Sequence, residues 1–203
     1  MIQSTAEAFH EWKIKNRRIN RLCELISNLL PQNDLSLLDV GSGDGALANC
    51  IKKKNNLSKV HGVDILIRDD IKIPVDEFDG SYLPFENNSF DYILLSDVLH
   101  HTENIKSLLA ECSRVSSGGI IIKDHLCENN LDYMILRFMD KVGNSRYDVN
   151  LPHNYKSSVE WGNVFDKTGL TVENWIPQLS LYPKPFHLLF DRKMHFLCLL
   201  TKH

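Results

Sequence analysis

One short segment constrains this chain more than any other: residues 37–45 have the sequence LLDVGSGDG, an apolar run followed by three alternating glycines. The apolar run is typical of a buried parallel strand. Glycine accepts positive φ and lets a ligand approach the bare backbone, so the three glycines predict a tight turn. The residues from Ala46 onward predict a helix whose N-terminus faces that turn. A strand, a glycine turn and a helix in this order favour a site for a nucleoside cofactor.

Two cofactor classes fit this turn, a dinucleotide and S-adenosylmethionine (SAM). The pattern Gly41-x-Gly43-x-x-Ala46 loosely matches the dinucleotide fingerprint. Asp39 argues against a dinucleotide, because a carboxylate two residues before the first glycine would repel a pyrophosphate. The same carboxylate could hold the ammonium group of a methionine moiety, directly or through water. The segment therefore favours SAM, with a dinucleotide site and a plain glycine turn as the alternatives.

A second acidic residue supports a nucleoside site. Residues 59–64 predict a second strand that ends in Asp64, whose carboxylate can accept both ribose hydroxyls. In a doubly wound sheet the first two strands are neighbours, and ligands bind outside their carboxyl ends. The glycine turn and Asp64 should therefore flank one crevice, a geometry that serves SAM and NAD equally.

Three further stretches carry a resemblance to a known family. They are FDGSYLPF at 78–85, SFDYILLSDVLHH at 89–101, and the pattern ExxRVxxGG at 111–119. Together with the glycine turn, they resemble the class I SAM-dependent methyltransferases, particularly the small-molecule branch related to quinone-biosynthesis methyltransferases. The resemblance covers about residues 36–125, in the correct order and spacing.

The resemblance implies cofactor contacts for nine residues. The methionine part would be surrounded by Asp39, Gly41, Ser42 and Gly43, and Ser96 would contact it as well. Asp64 and Ile65 would hold the ribose and the edge of the adenine. Asp79 with Gly80 would meet the adenine amino group. An Asp before a Gly is also frequent in turns, so a turn or helix cap is the alternative role of Asp79.

The alternation of apolar strands and helical segments predicts an α/β fold. Strands are expected near 36–40, 59–64, 75–79, 90–96, 119–123, 170–176 and 195–201, and helices near 5–30, 46–54, 68–72, 103–115, 129–142 and 158–167. The resemblance implies a doubly wound, Rossmann-like sheet of seven strands in the order 3-2-1-4-5-7-6, with the last strand antiparallel. We expect residues 1–203 to form one domain, with an N-terminal helix in 1–34 and a cap insertion at 126–157. That cap would cover the acceptor pocket or merely the sheet edge.

Methyl transfer to a hydroxyl or ammonium acceptor needs a base, unless positioning alone suffices. Candidate bases follow the fourth and fifth predicted strands, in the order of preference His101, His125 and His100. Further candidates are Asp124 after the fifth strand and Glu128, His153 and Tyr155 in the cap connection. His101 aligns with a His that follows this strand in many members of the family, but His100 stands where some of them have an acidic partner. Alternatively, these imidazoles cap the following helix or line the wall of the pocket.

Composition and the motif after the fourth strand argue against several classes of function. A net charge of −3 argues mildly against a nucleic-acid substrate, and no apolar run is long enough to span a membrane. Five cysteines without close pairing disfavour a disulfide framework or a zinc site. The sequence after the fourth strand lacks the Pro-Pro motif used on amide or adenine nitrogens. We therefore expect a cytoplasmic enzyme that transfers a methyl group from SAM to a small molecule without a metal, producing S-adenosylhomocysteine. Asp97 and Asp124 leave a metal as the alternative, and the oligomeric state stays open.

Two other functions stay open. The chain could bind SAM without catalysis, as a regulatory partner of another enzyme, in which case no acceptor would be methylated. It could also be a dinucleotide oxidoreductase, in which case NADH rather than SAM would protect it from heat.

Overall fold

The computed structural model describes residues 2–143, 152–184 and 186–202, with residues 2–13 described as backbone only. The described chain alternates strands and helices around one sheet. The strands are β1 Ser36–Val40, β2 Lys59–Asp64, β3 Val75–Glu77, β4 Phe90–Ser96, β5 Ser116–His125, β6 Leu170–Ile176 and β7 His195–Lys202. The helices are α1 Ile2–Ser27, α2 Ala46–Asn55, α3 Ile105–Val115, α4 Asn130–Gly143, α5 Ser158–Lys167 and α6 His187–Phe190, with a 3-10 turn at Leu99–His101.

The seven strands form a single sheet in the order β3-β2-β1-β4-β5-β7-β6. β7 runs antiparallel to both β5 and β6, and the other neighbouring strands are parallel. The order reverses between β1 and β4, which is the topological switch point where ligands bind in open α/β sheets. The predicted fold class, strand order and antiparallel last strand are confirmed.

Helices cover both faces of the sheet, so the central strands are buried and apolar on both sides. On one face, α3 and α5 pack against the sheet through side chains such as Leu109 and Trp161. On the other face, α1 and α2 pack through Cys23, Ile26 and Ile51. All five cysteines are free thiols.

Local sequence signals explain where several helices begin. Ser157 and Glu160 form a capping box, in which each side chain bonds the other residue's backbone N–H, and α5 starts directly after it. The Asn104 side chain accepts a hydrogen bond from Ser107 N (3.1 Å) and caps α3. α2 begins at Ala46, directly after the glycine turn.

The helix expected near 68–72 is wrong, since bends and turns replace it. The Lys72 backbone N–H donates to the Asp44 carbonyl at 2.8 Å, which ties this segment to the glycine turn. Pro74 follows and disfavours helical backbone at the residue before it.

The predicted cap contains α4, which packs on a small apolar cluster of Ile135, Leu136 and Met194. Residues 144–151 of the cap lie outside the described residues. Within the described ranges, no helix is long and apolar enough to cross a membrane. The single-domain boundaries stay a prediction.

Candidate functional site

The glycine turn follows β1 at the switch point, and its three glycines all have positive φ. Backbone N–H groups of Gly41 and Ser42 donate to the Val63 carbonyl at 2.8 and 3.1 Å, which fixes the turn on the end of β2. A Cβ on Gly41 would lie 2.5 Å from a Val98 methyl, whereas a Cβ on Gly43 would meet nothing within 4 Å. The first glycine is therefore required for packing against the segment after β4, and Gly43 borders open space.

Asp64 joins the turn to the end of β2. One oxygen of its carboxylate accepts from Gly43 N at 2.7 Å, and the other accepts from Leu66 N at 3.0 Å. Asp64 is buried, while the neighbouring Ile65 is half exposed. The turn and Asp64 thus flank one crevice, as the sequence led us to expect.

A crevice of about 630 Å³ opens beside Gly43 of the turn and the segment that follows β2. Its lining comprises Gly43, Asp44 and Leu66 to Asp70, together with Lys15 of α1. The Lys15 ammonium contacts the Asp44 carboxylate at 2.6 Å, so α1 borders the crevice.

Asp39 is buried at the end of β1 beneath the turn. Burial raises the pKa of its carboxyl to about 7, and the nearby Asp64 and Asp44 carboxylates raise it further in the same direction. A cation placed near Asp39 would favour its ionised form. The Ser42 hydroxyl is also buried, and within the described residues it makes no hydrogen bond.

The two residues expected at the adenine lie in the loop after β3. Asp79 is exposed, and one carboxylate oxygen accepts from Ser81 N and Tyr82 N, both at 2.8 Å. It therefore has the turn role that the sequence left as its alternative, through Oδ1. A Cβ on Gly80 would lie 3.5 Å from the Ile65 side chain, so Gly80 and Ile65 are neighbours. Ser96 is half-buried at the carboxyl end of β4.

A polar cluster lies where β4 and β5 end, next to the switch point. The buried His100 donates from Nδ1 to Asp124 Oδ1 at 2.7 Å, and its Nε2 lies 3.5 Å from Asp140 Oδ2. Asp124 also accepts from the backbone amides of His125 and Leu99, at 2.7 and 3.0 Å. Burial lowers the pKa of His100, but the two carboxylates outweigh burial and raise it to about 10. His100 is therefore an imidazolium at neutral pH.

The pKa values of the other two candidate bases, His101 and His125, are lowered, in contrast to the raised pKa of His100. Burial and the charge of His100 lower the pKa of His101 to about 4, so this half-buried imidazole is neutral. Burial holds the pKa of His125 well below its usual value, and Trp161 donates to the His125 carbonyl at 2.9 Å. His100, His101 and His125 are brought together, with ring centroids 3.9 Å apart for the first pair and 4.5 Å apart for His100 and His125.

Three residues of the cluster, Lys123, Arg18 and Asp140, were not among the sequence candidates. Lys123 is completely buried in β5 and donates to Asp97, the residue after β4. Arg18 of α1 lies 3.5 Å from the same carboxylate, and Asp140 comes from α4. Burial alone would raise the pKa of Asp97, but Lys123 and Arg18 hold it well below its usual value. The only signal of these residues in the sequence is a lysine inside the apolar run of β5.

His195 of β7 completes the wall of the cluster, with Nε2 donating to the Phe190 carbonyl at 3.0 Å. Glu128 lies elsewhere, since it accepts from Ser158 N at 2.8 Å at the start of α5.

Comparison with known proteins shows what part of this chain is similar to. Residues 38–122 match a family model described as a methyltransferase domain. A curated relative, the sarcosine/dimethylglycine N-methyltransferase of Aphanothece halophytica, is 28% identical over 134 residues. That match covers 56% of this chain and 46% of the relative, so the chain spans about half the length of the curated relative.

Solved structures show the same fold. A SAM-dependent methyltransferase from Mesorhizobium loti is 18% identical with a TM-score of 0.64, covering 86% of this chain and 94% of that chain. A SAM-dependent methyltransferase from Aquifex aeolicus is 15% identical with a TM-score of 0.61, covering 89% and 88%. The strand order, the switch-point turn and the match over 38–122 agree with one another: residues 38–122 match a methyltransferase domain model, and the described residues have the fold of these SAM-dependent methyltransferase structures.

Proposed function

We propose that this chain transfers a methyl group from SAM to a small-molecule acceptor by direct displacement, releasing S-adenosylhomocysteine. The observation that carries the proposal is the position of Gly43. Its N–H donates to the carboxylate that ends β2, and its Cα borders open space in the crevice. This is a backbone that a ligand can approach closely, beside an acidic group suited to a ribose.

The residues around the turn fit SAM better than a dinucleotide. Asp39, Asp44 and Asp64 give this end of the crevice a negative character, which would repel a pyrophosphate and attract an ammonium group. We assign Asp39, Gly41, Ser42, Gly43 and Ser96 to the methionine part. We assign Asp64 and Ile65 to the ribose, and Asp79 and Gly80 to the adenine.

The bound SAM would supply an electrophilic methyl group on its sulfonium. The protein must then position the acceptor, exclude water and, for some acceptors, accept a proton. Of the three candidate histidines, His101 is the one we propose for proton removal. His100 already carries a proton at neutral pH, and His125 is fully enclosed in the wall.

Val98 places His101 near the methionine part. The Val98 side chain packs on Gly41 of the turn, and His101 follows three residues later on the 3-10 turn. Three residues span at most roughly 11 Å of chain, so the imidazole belongs to the same edge of the sheet.

The acceptor class rests on the curated relative. Its name makes sarcosine and dimethylglycine the first acceptors to assay. A cytoplasmic location and a small-molecule rather than nucleic-acid acceptor, both expected from the sequence, are part of this proposal.

Calorimetry with SAM, S-adenosylhomocysteine and NAD tests the cofactor assignment. We expect SAM and S-adenosylhomocysteine to bind one site per chain, and Asp64→Ala to weaken SAM binding about 10- to 150-fold, the scale of lost hydrogen bonds to a charged group. Asp76→Ala is the matched control, because Asp76 pairs with His61 on the exposed side of β3. Heat with NAD alone would replace the assignment by a dinucleotide site.

Turnover is tested separately, by the release of S-adenosylhomocysteine with each acceptor. His101→Ala should lower turnover about 100-fold at unchanged SAM affinity if proton removal limits the rate. SAM binding without turnover on any acceptor would favour the non-catalytic alternative.

A further inference from the structure

Several ligand-capable atoms converge at the carboxyl edge of the sheet. His100, His101 and Asp140 each offer one atom, and these atoms all lie within 4.8 Å of one another. Asp140 Oδ2 lies 3.5 Å from His100 Nε2. The Nδ1 atom of His101 is buried and, within the described part of the chain, makes no hydrogen bond.

Two more donors face the same oxygen from the cap. His153 Nδ1 lies 3.8 Å from Asp140 Oδ2, and the Tyr155 hydroxyl bonds to that oxygen. His153 has a φ of 49°, a left-handed conformation that is uncommon for a non-glycine residue. Strained backbone of this kind is concentrated at binding and active sites.

The loop that carries His153 is fixed to the turn that carries the other two histidines. Asn154 donates from its backbone N–H to the His100 carbonyl at 2.9 Å and from its side chain to the Thr102 carbonyl at 3.2 Å. The donors on the two segments are therefore held in place relative to one another.

The spacing of these atoms fits a coordinated ion. Ligands at roughly 2.0–2.2 Å from a tetrahedral ion lie roughly 3.3–3.6 Å from one another. The separations of 3.5 and 3.8 Å between Asp140 Oδ2 and the imidazole nitrogens of His100 and His153 are close to this range. They are longer than an ordinary hydrogen bond.

The surroundings of His100 supply a second, independent observation. Its Nδ1–H donates to Asp124, which is completely buried and fixed by the backbone amides of Leu99 and His125. Metal-ligating histidines characteristically donate their other ring N–H to a carboxylate in this way, which orients the ring. The bond leaves Nε2 of His100 directed towards Asp140, and an ion bound to Nε2 would displace to solvent the proton that His100 otherwise carries there at neutral pH.

From these observations we propose a binding site for one divalent transition-metal ion, of the type of Zn²⁺, held by His100, His101 and Asp140 with His153 on its open side. Imidazole nitrogens with one carboxylate select such ions over Mg²⁺ or Ca²⁺, which prefer oxygen ligands. The site differs from the metal-free enzyme that the sequence led us to expect. The site does not depend on SAM binding, but an ion on His101 would occupy the lone pair that His101 needs as a base, so methyl transfer with the ion bound would rest on positioning alone.

Cobalt is the probe, because Co²⁺ has visible absorption that reports its ligands. Untagged full-length protein, treated with chelator and dialysed, is titrated with CoCl₂ and then with ZnCl₂ in competition. We expect one Co²⁺ per chain, visible d–d bands, and displacement by Zn²⁺. His101→Ala and Asp140→Asn should each weaken binding at least 10-fold, and so should Asp124→Asn, which removes the orienting carboxylate.

His61→Ala is the control variant, since His61 pairs with Asp76 on β2 and β3, and it should leave Co²⁺ affinity unchanged. Circular dichroism melts establish that each variant is folded. His101 is only half-buried, so its variant keeps the test decisive if the more buried positions do not tolerate change.

Three results would overturn the proposal. They are no Co²⁺ bound to the folded protein, equal affinity in parent and His101→Ala, and a thiolate charge-transfer band in the near ultraviolet. The first would mean that His100 serves only as an imidazolium between Asp124 and Asp140, and the last would place the ion on cysteine instead. None of these outcomes bears on SAM binding, so the two proposals fail separately.

Discussion

The buried carboxyl of Asp39 should make the protein less stable as the pH rises from 4 to 8. Its native pKa of about 7 lies above the ordinary value of 3.8. The native state therefore binds more protons than the unfolded chain between these values, and the free energy of unfolding falls with pH. With those two pKa values, the raised pKa of Asp39 lowers the free energy of unfolding by about 2 kcal/mol at pH 5 and by about 4 kcal/mol at pH 8.

Asp39→Asn removes this charge and should raise the free energy of unfolding, by an amount that grows by about 2–3 kcal/mol between pH 5 and pH 8. Urea unfolding followed by circular dichroism at pH 5, 6.5 and 8 measures the difference. The same variant should bind SAM more weakly at pH 8, because an amide lacks the charge that we propose to hold the ammonium group. Stability and cofactor binding would then change in opposite directions.

Asp91→Asn is the matched control on β4. Hydrogen bonds from the Ser36 hydroxyl and N–H, at 2.6 and 2.8 Å, lower the pKa of Asp91, with the hydroxyl as the larger cause. A lowered native-state pKa of this carboxyl stabilises the native state at pH values above the unfolded pKa of 3.8. This stabilisation is lost only as the pH falls below that value. This variant should therefore lose the same stability at pH 5 and pH 8. A gain for Asp39→Asn that does not change with pH would refute the reasoning.

Gly41→Ala should destabilise the protein by about 1–3 kcal/mol, because Gly41 has positive φ and the new methyl group would overlap Val98. The control is Gly162→Ala, at an open helical position, and both variants are measured by their urea unfolding midpoints. Ser157→Ala should cost about 1 kcal/mol in the same assay, since it removes the cap of α5, and an unchanged midpoint would count against that cap. Met134→Asp should change stability by less than about 0.5 kcal/mol, because this side chain on α4 is 68% exposed, and an unfolded product would mean that the helix face is buried.

The parts of the molecule that sequence predicted well are those whose signals are local. The strand and glycines of residues 37–45 lie next to one another in the chain, and the turn follows from their backbone preferences. The sequence predicted a helix at 158–167, the same bounds that α5 has in the structure, and the capping box of Ser157 and Glu160 fixes its start. The helix expected at 68–72 failed because a non-local bond from Lys72 to Asp44 overrides local preference.

The polar cluster was only half visible because its charges come from distant parts of the chain. Arg18 and Asp97 are 79 residues apart in sequence, and no periodicity links them. Lys123 looks like an exception inside an apolar strand until its partner Asp97 is known. The imidazoles were found as a pair next to a strand end, but their charge states depend on Asp140, which enters from the cap.

Helix α1 connects the two halves of the candidate site mechanically. Lys15 contacts Asp44 at the crevice, and Arg18, one helical turn later, contacts Asp97 at the polar cluster. Both contacts point from the same side of one rigid rod, so the rod cannot shift at one end of the site and leave the other end unchanged. A displacement of α1 that breaks the contact with Asp44 would therefore also disturb the contact with Asp97.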